Sequence, residues 1–138
     1  MYLLDTNVLS ELRRPRPHGG VLAWIGSVSS ESMYVPAVVI GEIQIGIQRT
    51  AENDTAKAKE LSAWLQQIVE TAQCISIDAE IFKLWGTLAH RIGTNLVVDA
   101  LIAATALQKN MTVVTRNVSD FQRFGVPVFN PFEYTAVK

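Results

Sequence analysis

The first seven residues, MYLLDTN, constrain the fold more than any other stretch of the chain. An apolar segment, residues 1–4, runs directly into Asp5, and Thr6 and Asn7 are residue types that favour turns and helix caps. An apolar strand without polar flanks is typical of the centre of a sheet that helices cover on both faces. Ligands bind at the carboxyl edge of such sheets, so Asp5 is the first candidate for chemistry. Asp5 alone equally fits a simpler role, as the cap of a helix beginning near Asn7 or Val8.

Composition indicates an ordinary globular protein. The chain has 138 residues, 49% of them hydrophobic, and a formal charge of −1, so we expect residues 1–138 to form a single domain. This balance argues against binding nucleic acid with the whole surface, although a local basic patch is possible. The single cysteine, Cys74, excludes an internal disulfide and is expected in the core. Asp5 interrupts the N-terminus before a signal peptide could form, and no apolar stretch is long enough to span a bilayer, which predicts a cytoplasmic protein.

Hydrophobic periodicity predicts alternating strands and helices, and therefore a mostly parallel sheet. After the first strand we expect strands at residues 33–35, 73–77, 111–114 and 126–129. Helices are expected at residues 21–28, 38–48, 79–92 and 95–107, with a further helical stripe between residues 51 and 71. Pro127 suggests that the last strand lies at a sheet edge. Residues 130–138 are expected to form a tail docked by Phe132 and Tyr134.

Four polar segments fall where this topology can bring them together. Glu42 lies on the less solvated side of helix 38–48, beside Gly46, and requires a partner such as a buried arginine if its role is structural. Asp99 is the only charge in the buried part of helix 95–107, although a position near the helix start is itself favourable for an acid. Asn117 and Asp120 follow strand 111–114, at the same edge as Asp5.

Carboxylates without histidine or cysteine nearby are hard oxygen ligands that suit Mg²⁺ or Mn²⁺ rather than zinc. Such sites carry out phosphodiester hydrolysis, in which the metal activates water and stabilises the oxygens that attack and leave. Arg13, Arg14 and Arg16 lie close in sequence to Asp5. They fit either a phosphate-binding cluster or a solvated connection.

Four stretches, taken in order, resemble the successive motifs of PIN-domain ribonucleases. They are LLDTN at 3–7, VIGEI at 39–43, DALIAATA at 99–106 and TRNVSDF at 115–121. More narrowly, the chain is similar to the VapC toxins of bacterial type II toxin-antitoxin systems and to the related FitB proteins. The order, the spacing and the length all match, and the resemblance covers essentially the whole chain.

The resemblance implies a PIN-like three-layer α/β fold, in which a central, mostly parallel sheet of about five strands is flanked by helices. It also implies an endoribonuclease, dependent on Mg²⁺ or Mn²⁺, whose acidic core is Asp5, Glu42 and Asp99. Many relatives carry aspartate where Asn117 stands in this chain. Asn117 can still bind a metal through its amide oxygen, but without charge. Asp120, one helical turn later, can supply that charge, so the number of metals stays open.

By the same resemblance, Thr6 and Asn7 are expected to orient Asp5 or a water on the metal, and Arg116 to meet a phosphate of the substrate. Family members usually dimerise, and a small antitoxin holds them inactive with a tail that enters the acidic cleft while its other end binds operator DNA. The implied partners are therefore RNA, a cognate antitoxin with a DNA-binding domain, and a second copy of the chain. No membrane partner is implied.

Two other functions remain open at this point. The first keeps the fold but makes the chain mainly a partner of a DNA-binding regulator, as the near-neutral charge and Asn117 suggest. The second is a phosphatase with Asp5 as its nucleophile, which is disfavoured because that chemistry commonly needs a second acid where Asn7 stands.

Overall fold

The computed structural model describes residues 1–93 and 96–136 as a parallel sheet flanked by helices. The sheet has five strands in the order β3-β2-β1-β4-β5, and every neighbouring pair is parallel. The strands are Tyr2–Leu4 (β1), Met33–Pro36 (β2), Cys74–Ile75 (β3), Thr112–Val114 (β4) and Val128–Phe129 (β5). The helices are Thr6–Glu11 (α1), Gly19–Ser27 (α2), Ala37–Ala51 (α3), Thr55–Thr71 (α4), Ala79–Ile92 (α5), Val97–Lys109 (α6) and Val118–Gln122 (α7). The predicted α/β fold is confirmed.

β1 occupies the centre of the sheet, as its apolar sequence predicts. It pairs with β2 on one side and with β4 on the other. Leu3 and Leu4 are both buried, although their side chains point to opposite faces of the strand. Both faces of the sheet are therefore covered at its centre, which is the usual situation in a parallel sheet.

α6 is the most completely buried helix. All side chains of residues 100–106 are buried, and Asp99 is the acidic residue of its first turn. Small side chains allow this helix to pack closely, and it contacts both β4 and α5. None of the helices in residues 1–93 and 96–136 has the length and hydropathy of a bilayer-spanning segment.

Several predicted boundaries differ from the structure, chiefly at the sheet edges. β3 and β5 are two residues long instead of the five and four predicted, because an edge strand has a partner on one side only. Cys74 lies on β3 and is exposed, so its predicted core position is wrong. The predicted start of the helix at Asn95 and the end of the tail at Lys138 lie outside the described residues.

The predicted docking of the C-terminal tail is confirmed, and it depends on a close approach to α2. Residues Pro131–Glu133 form a 3₁₀ turn that packs against that helix. A Cβ atom at Gly20 would lie 2.9 Å from the main-chain oxygen of Pro131 and 3.0 Å from that of Tyr134. Main-chain atoms cannot rotate away as the end of a side chain can. Gly20 is therefore required where the tail crosses α2.

Gly20→Ala should destabilise the protein by about 1–3 kcal/mol, since the added methyl overpacks the contact with the tail. Gly19→Ala is the matched control, because Gly19 lies in the same helical turn and has open space around its Cβ position. Urea denaturation of both variants measures the difference. Equal free energies of unfolding for the two would show that the tail does not pack on α2 as described.

Candidate functional site

Asp5 lies at the point where the strand order of the sheet reverses. The chain moves outward from β1 through β2 to β3, and in the other direction through β4 to β5. A crevice opens at the carboxyl ends of the strands at such a point. Asp5 follows β1 there, and its N–H donates to the Val114 carbonyl at 3.0 Å. Its side chain, 4% exposed, also caps α1 by accepting from the Thr6 N–H at 2.7 Å. Asp5 therefore has both positions that the sequence left open, the helix cap and the ligand-binding edge.

Thr115 connects Asp5 to the strand beside it. Thr115 is fully buried, and its hydroxyl donates to Asp5 Oδ2 at 2.7 Å. The same hydroxyl oxygen accepts from Asn7 Nδ2 at 3.3 Å and from the Asn117 N–H at 2.9 Å. Asn7 Nδ2 also lies 3.2 Å from Asp5 Oδ2. These donors fix the orientation of the Asp5 carboxylate before any ligand binds.

The pKa of Asp5 reflects a balance of opposing effects. Burial raises the pKa of this carboxyl above its ordinary value, and repulsion from Glu42 acts in the same direction. Hydrogen bonds from the Thr115 hydroxyl and the Thr6 N–H stabilise the charged form and oppose that rise. The net result is a carboxyl whose pKa stays raised.

Glu42 joins the site through Thr6. The Thr6 hydroxyl donates to Glu42 Oε1, so the partner of this half-buried acid is a hydroxyl and not a buried arginine. Glu42 and Gly46 both border a cavity of about 200 Å³, which agrees with the predicted space beside the carboxylate. Arg13 and Trp64 lie at the same cavity.

Asp99 is the acid of the site whose pKa is affected by all three of the other carboxylates. Partial burial raises the pKa of Asp99, and repulsion by neighbouring carboxylates adds to this effect, bringing the pKa to about 6. The repelling carboxylates are, in falling order, those of Asp5, Asp120 and Glu42. Three carboxylates from distant parts of the chain therefore lie near enough to Asp99 to repel its charge, and we call Asp5, Glu42, Asp99 and Asp120 the acidic cluster.

No cation balances this charge within the part of the chain that the structure describes. The ion pairs there are Arg14–Glu11 at 3.8 Å and Lys57–Glu60 at 3.5 Å, neither of which includes a member of the acidic cluster. Among the same residues, no three histidine, cysteine or acidic side chains stand close enough together to form a preassembled metal site. Negative charge without a counter-ion is electrostatically suited to a divalent cation, for which the carboxylates would have to approach one another.

Asn117 and Arg116 lie on the loop between β4 and α7. Asn117 is exposed, and its side chain makes no capping hydrogen bond to α7. Asp120, and not Asn117, contributes the nearby negative charge from this segment. The Arg116 N–H donates to Asn7 Oδ1 at 3.1 Å, while its guanidinium lies over the ring of Phe132.

Thr115 is the residue whose contribution the sequence analysis missed. One signal was present, because a polar residue directly after β4 lies at the same sheet edge as Asp5. The periodicity of the sequence gives no means of pairing the two, because the order of the strands is unknown until the sheet is seen.

Asp99→Asn should stabilise the metal-free protein above about pH 6 by about 1 kcal/mol, a value reduced because the half-buried carboxyl is partly screened by solvent. The folded protein keeps the Asp99 proton up to about pH 6, whereas the unfolded chain releases it near the ordinary carboxyl pKa of 3.8. The unfolding free energy contributed by this group therefore falls as the pH rises between those values.

Urea denaturation in EDTA at about pH 4 and about pH 7 measures this effect, since the first lies near the lower end of the titration and the second beyond its upper end. Asp54→Asn is the matched control, because Asp54 is exposed and asparagine also caps helices well. A stabilisation of Asp99→Asn that is no larger at the higher pH would contradict the convergence of the four carboxylates.

Comparison with known proteins agrees with this geometry. A family model described as the PIN domain matches residues 2–126. Toxin FitB of Neisseria gonorrhoeae (strain ATCC 700825 / FA 1090) is 32% identical over 139 residues, covering 96% of this chain and 99% of the relative. VapC ribonuclease Y4jK of Sinorhizobium fredii (strain NBRC 101917 / NGR234) is 30% identical over 144 residues, with the same coverage of both chains.

The solved structures extend the agreement to three dimensions. The one described as "Structure of FitAB bound to IR36 DNA fragment" matches with a TM-score of 0.83 at 32% identity and covers 99% of both chains. The motifs, the sheet and these matches lead to one conclusion: the chain belongs to the PIN-domain family, with the FitB and VapC toxins among its relatives.

Proposed function

We propose that this protein is an endoribonuclease dependent on Mg²⁺ or Mn²⁺ that acts as the toxin of a type II toxin-antitoxin pair. The observation that carries the proposal is the acidic cluster, in which burial and then repulsion by the other carboxylates raise the pKa of Asp99 to about 6. Relatives named as ribonucleases support the reaction class. The donor set supports the metal, since it consists of oxygen atoms only.

Each polar residue then has a role in the reaction. Asp5 and Asp99 would hold the cation, with Glu42 as a further ligand and Asn117 as a neutral one. The bound cation would supply water activation and stabilisation of the charge that develops on the phosphate. Asp120 adds negative charge next to Asp99 and is the candidate for accepting a proton from the attacking water.

Thr6 and Asn7 act by orienting the acids. Thr6 fixes Glu42 through its hydroxyl and Asp5 through its N–H, while Asn7 holds Asp5 through its side-chain amide. Arg116 stands at the edge of this network with an exposed side chain. It is the candidate for binding a phosphate of the RNA strand.

The proposed partners follow from the relatives. Solved structures of relatives include a FitAB complex on a DNA fragment and a VapBC2 complex on a promoter fragment. We propose that this chain likewise binds a cognate antitoxin that has a DNA-binding domain. We also propose that the chain forms a homodimer and acts in the cytoplasm. A positively charged side chain of the antitoxin that enters the acidic cluster would compete there with the metal.

Asp5→Asn should lower RNA cleavage at least about a hundredfold, because it removes one negative ligand and disturbs the hydrogen bonds around it. Cleavage of a labelled single-stranded RNA with Mg²⁺ or Mn²⁺, and with EDTA, measures the effect. Asp54→Asn, which changes an exposed cap on α4, should cleave like the parent. Cleavage that persists in EDTA or in Asp5→Asn would overturn the assignment.

A second candidate function is that of a regulator's partner with little nuclease activity, which the likeness to FitB in a DNA-bound complex favours. Expression in bacteria separates the two. A toxin should arrest growth until its antitoxin is co-expressed, and Asp5→Asn should relieve the arrest. If neither the parent nor the variant affects growth and the pure protein leaves RNA intact, the chain acts through binding alone. Failure to trap an aspartyl-phosphate on Asp5 would dispose of the phosphatase alternative.

A further inference from the structure

Both the main chain and the side chain of Arg116 are held in place by contacts. Its main-chain N–H donates to Asn7 Oδ1 at 3.1 Å, and Asn7 in turn contacts the Asp5 carboxylate. Its guanidinium carbon lies 3.7 Å from the centroid of the Phe132 ring, over the face of that ring. A cation in this position is attracted by the negative face of the aromatic ring.

The charge of Arg116 is nevertheless available to a ligand. Its side chain is exposed, and none of the ion pairs among residues 1–93 and 96–136 includes it. Stacking uses the face of the guanidinium plane, whereas hydrogen bonds to a phosphate use its edge. The side chain can therefore stay on Phe132 while its N–H groups bind an anion.

Phe132 is itself fixed by contacts outside the acidic cluster. The Asn130 side chain accepts a hydrogen bond from the Phe132 N–H at 3.0 Å. The ring of His18 packs against the Phe132 ring with a centroid distance of 5.2 Å. Gly20 allows the turn that carries Phe132 to cross α2 closely. The tail thus supplies a rigid aromatic surface beside the loop that bears Arg116.

We propose that Phe132 is a positioning residue that holds Arg116, on the loop whose main chain is tied through Asn7 to Asp5, in place to bind a backbone phosphate of single-stranded RNA. The proposal rests on the nuclease function proposed above and extends it to the C-terminal tail. Holding the arginine in advance reduces the conformational entropy lost when the phosphate binds, so the contact strengthens binding. The aromatic face contributes by orienting the cation and does not itself contact the reacting atoms.

Cleavage kinetics on a single-stranded RNA test the phosphate contact. Arg116→Ala should raise KM about tenfold with kcat within about twofold, the size of one charge-assisted contact. The slope of log KM against log salt should become shallower by about 0.7, as expected for one phosphate contact on a single strand. Arg49→Ala is the matched control, because Arg49 is exposed in the last turn of α3. An unchanged KM and salt slope in Arg116→Ala would overturn the proposal.

A double-mutant cycle tests the positioning role. Phe132→Leu should raise KM roughly threefold, as the loss of an exposed cation–π contact predicts, and Phe132→Tyr should restore it. In the Arg116→Ala background, Phe132→Leu should have no further effect, whereas a merely structural role would add the same loss in both backgrounds. Phe82→Leu, at an exposed phenylalanine on α5, is the control for removing an aromatic ring.

Failure of this inference can be distinguished from failure of the proposed nuclease. Anisotropy of a fluorescein-labelled single-stranded RNA in EDTA requires no turnover, and Arg116→Ala should weaken that binding about tenfold. Cleavage that depends on Asp5 but is indifferent to Arg116 and Phe132 would refute the inference alone. Absence of cleavage together with RNA binding that depends on Arg116 would refute the nuclease alone.

Discussion

The parallel pairing of β1 with β4 is the constraint on which the rest of the structure depends. The register that places Leu4 opposite Val114 brings Asp5 and Thr115 side by side at the next position. A slip of one residue would turn the Asp5 side chain toward the other face and separate it from its donor. The ladder that builds the core therefore also orients a buried carboxylate. A change in the β1–β4 register would therefore disturb both the packing of the core and the position of Asp5.

Collecting carboxylates at this edge of the sheet lowers stability, because desolvation and repulsion both disfavour the charged forms. Three nearby groups donate hydrogen bonds to the Asp5 carboxylate and offset this cost for Asp5. Burial first, and then repulsion by neighbouring carboxylates, raise the pKa of Asp99 to about 6, with no opposing hydrogen bond from the described residues to lower it. Uncompensated charge at one place in an otherwise well-packed fold is typical of a binding site, where a ligand provides the missing counter-charge.

The sequence predicted the long elements well, because their bounds depend on local chemistry. The bounds of α5 follow from its Asp78 cap and from Gly93 at its end, and the all-apolar pattern of α6 predicts its burial. The edge strands and the exposure of Cys74 were mispredicted, since a short apolar run looks the same at the edge and in the centre. The contact of Thr115 with Asp5 and that of Phe132 with Arg116 could not be predicted, because the first joins segments about a hundred residues apart and the second depends on how the tail docks.

A chain with a formal charge of −1 cannot attract RNA by its overall field, so any attraction must be local. Two exposed arginines belong to segments that contact members of the acidic cluster or their neighbours. Arg13 lies at the cavity beside Glu42, and Arg116 is tied through Asn7 to the Asp5 side. Under the nuclease function proposed above, the cluster should repel a phosphate strand until a divalent cation neutralises it, whereas the arginines should attract the strand with or without metal. Metal binding would then determine whether the RNA strand enters the acidic cluster, and would have less effect on whether the protein binds RNA.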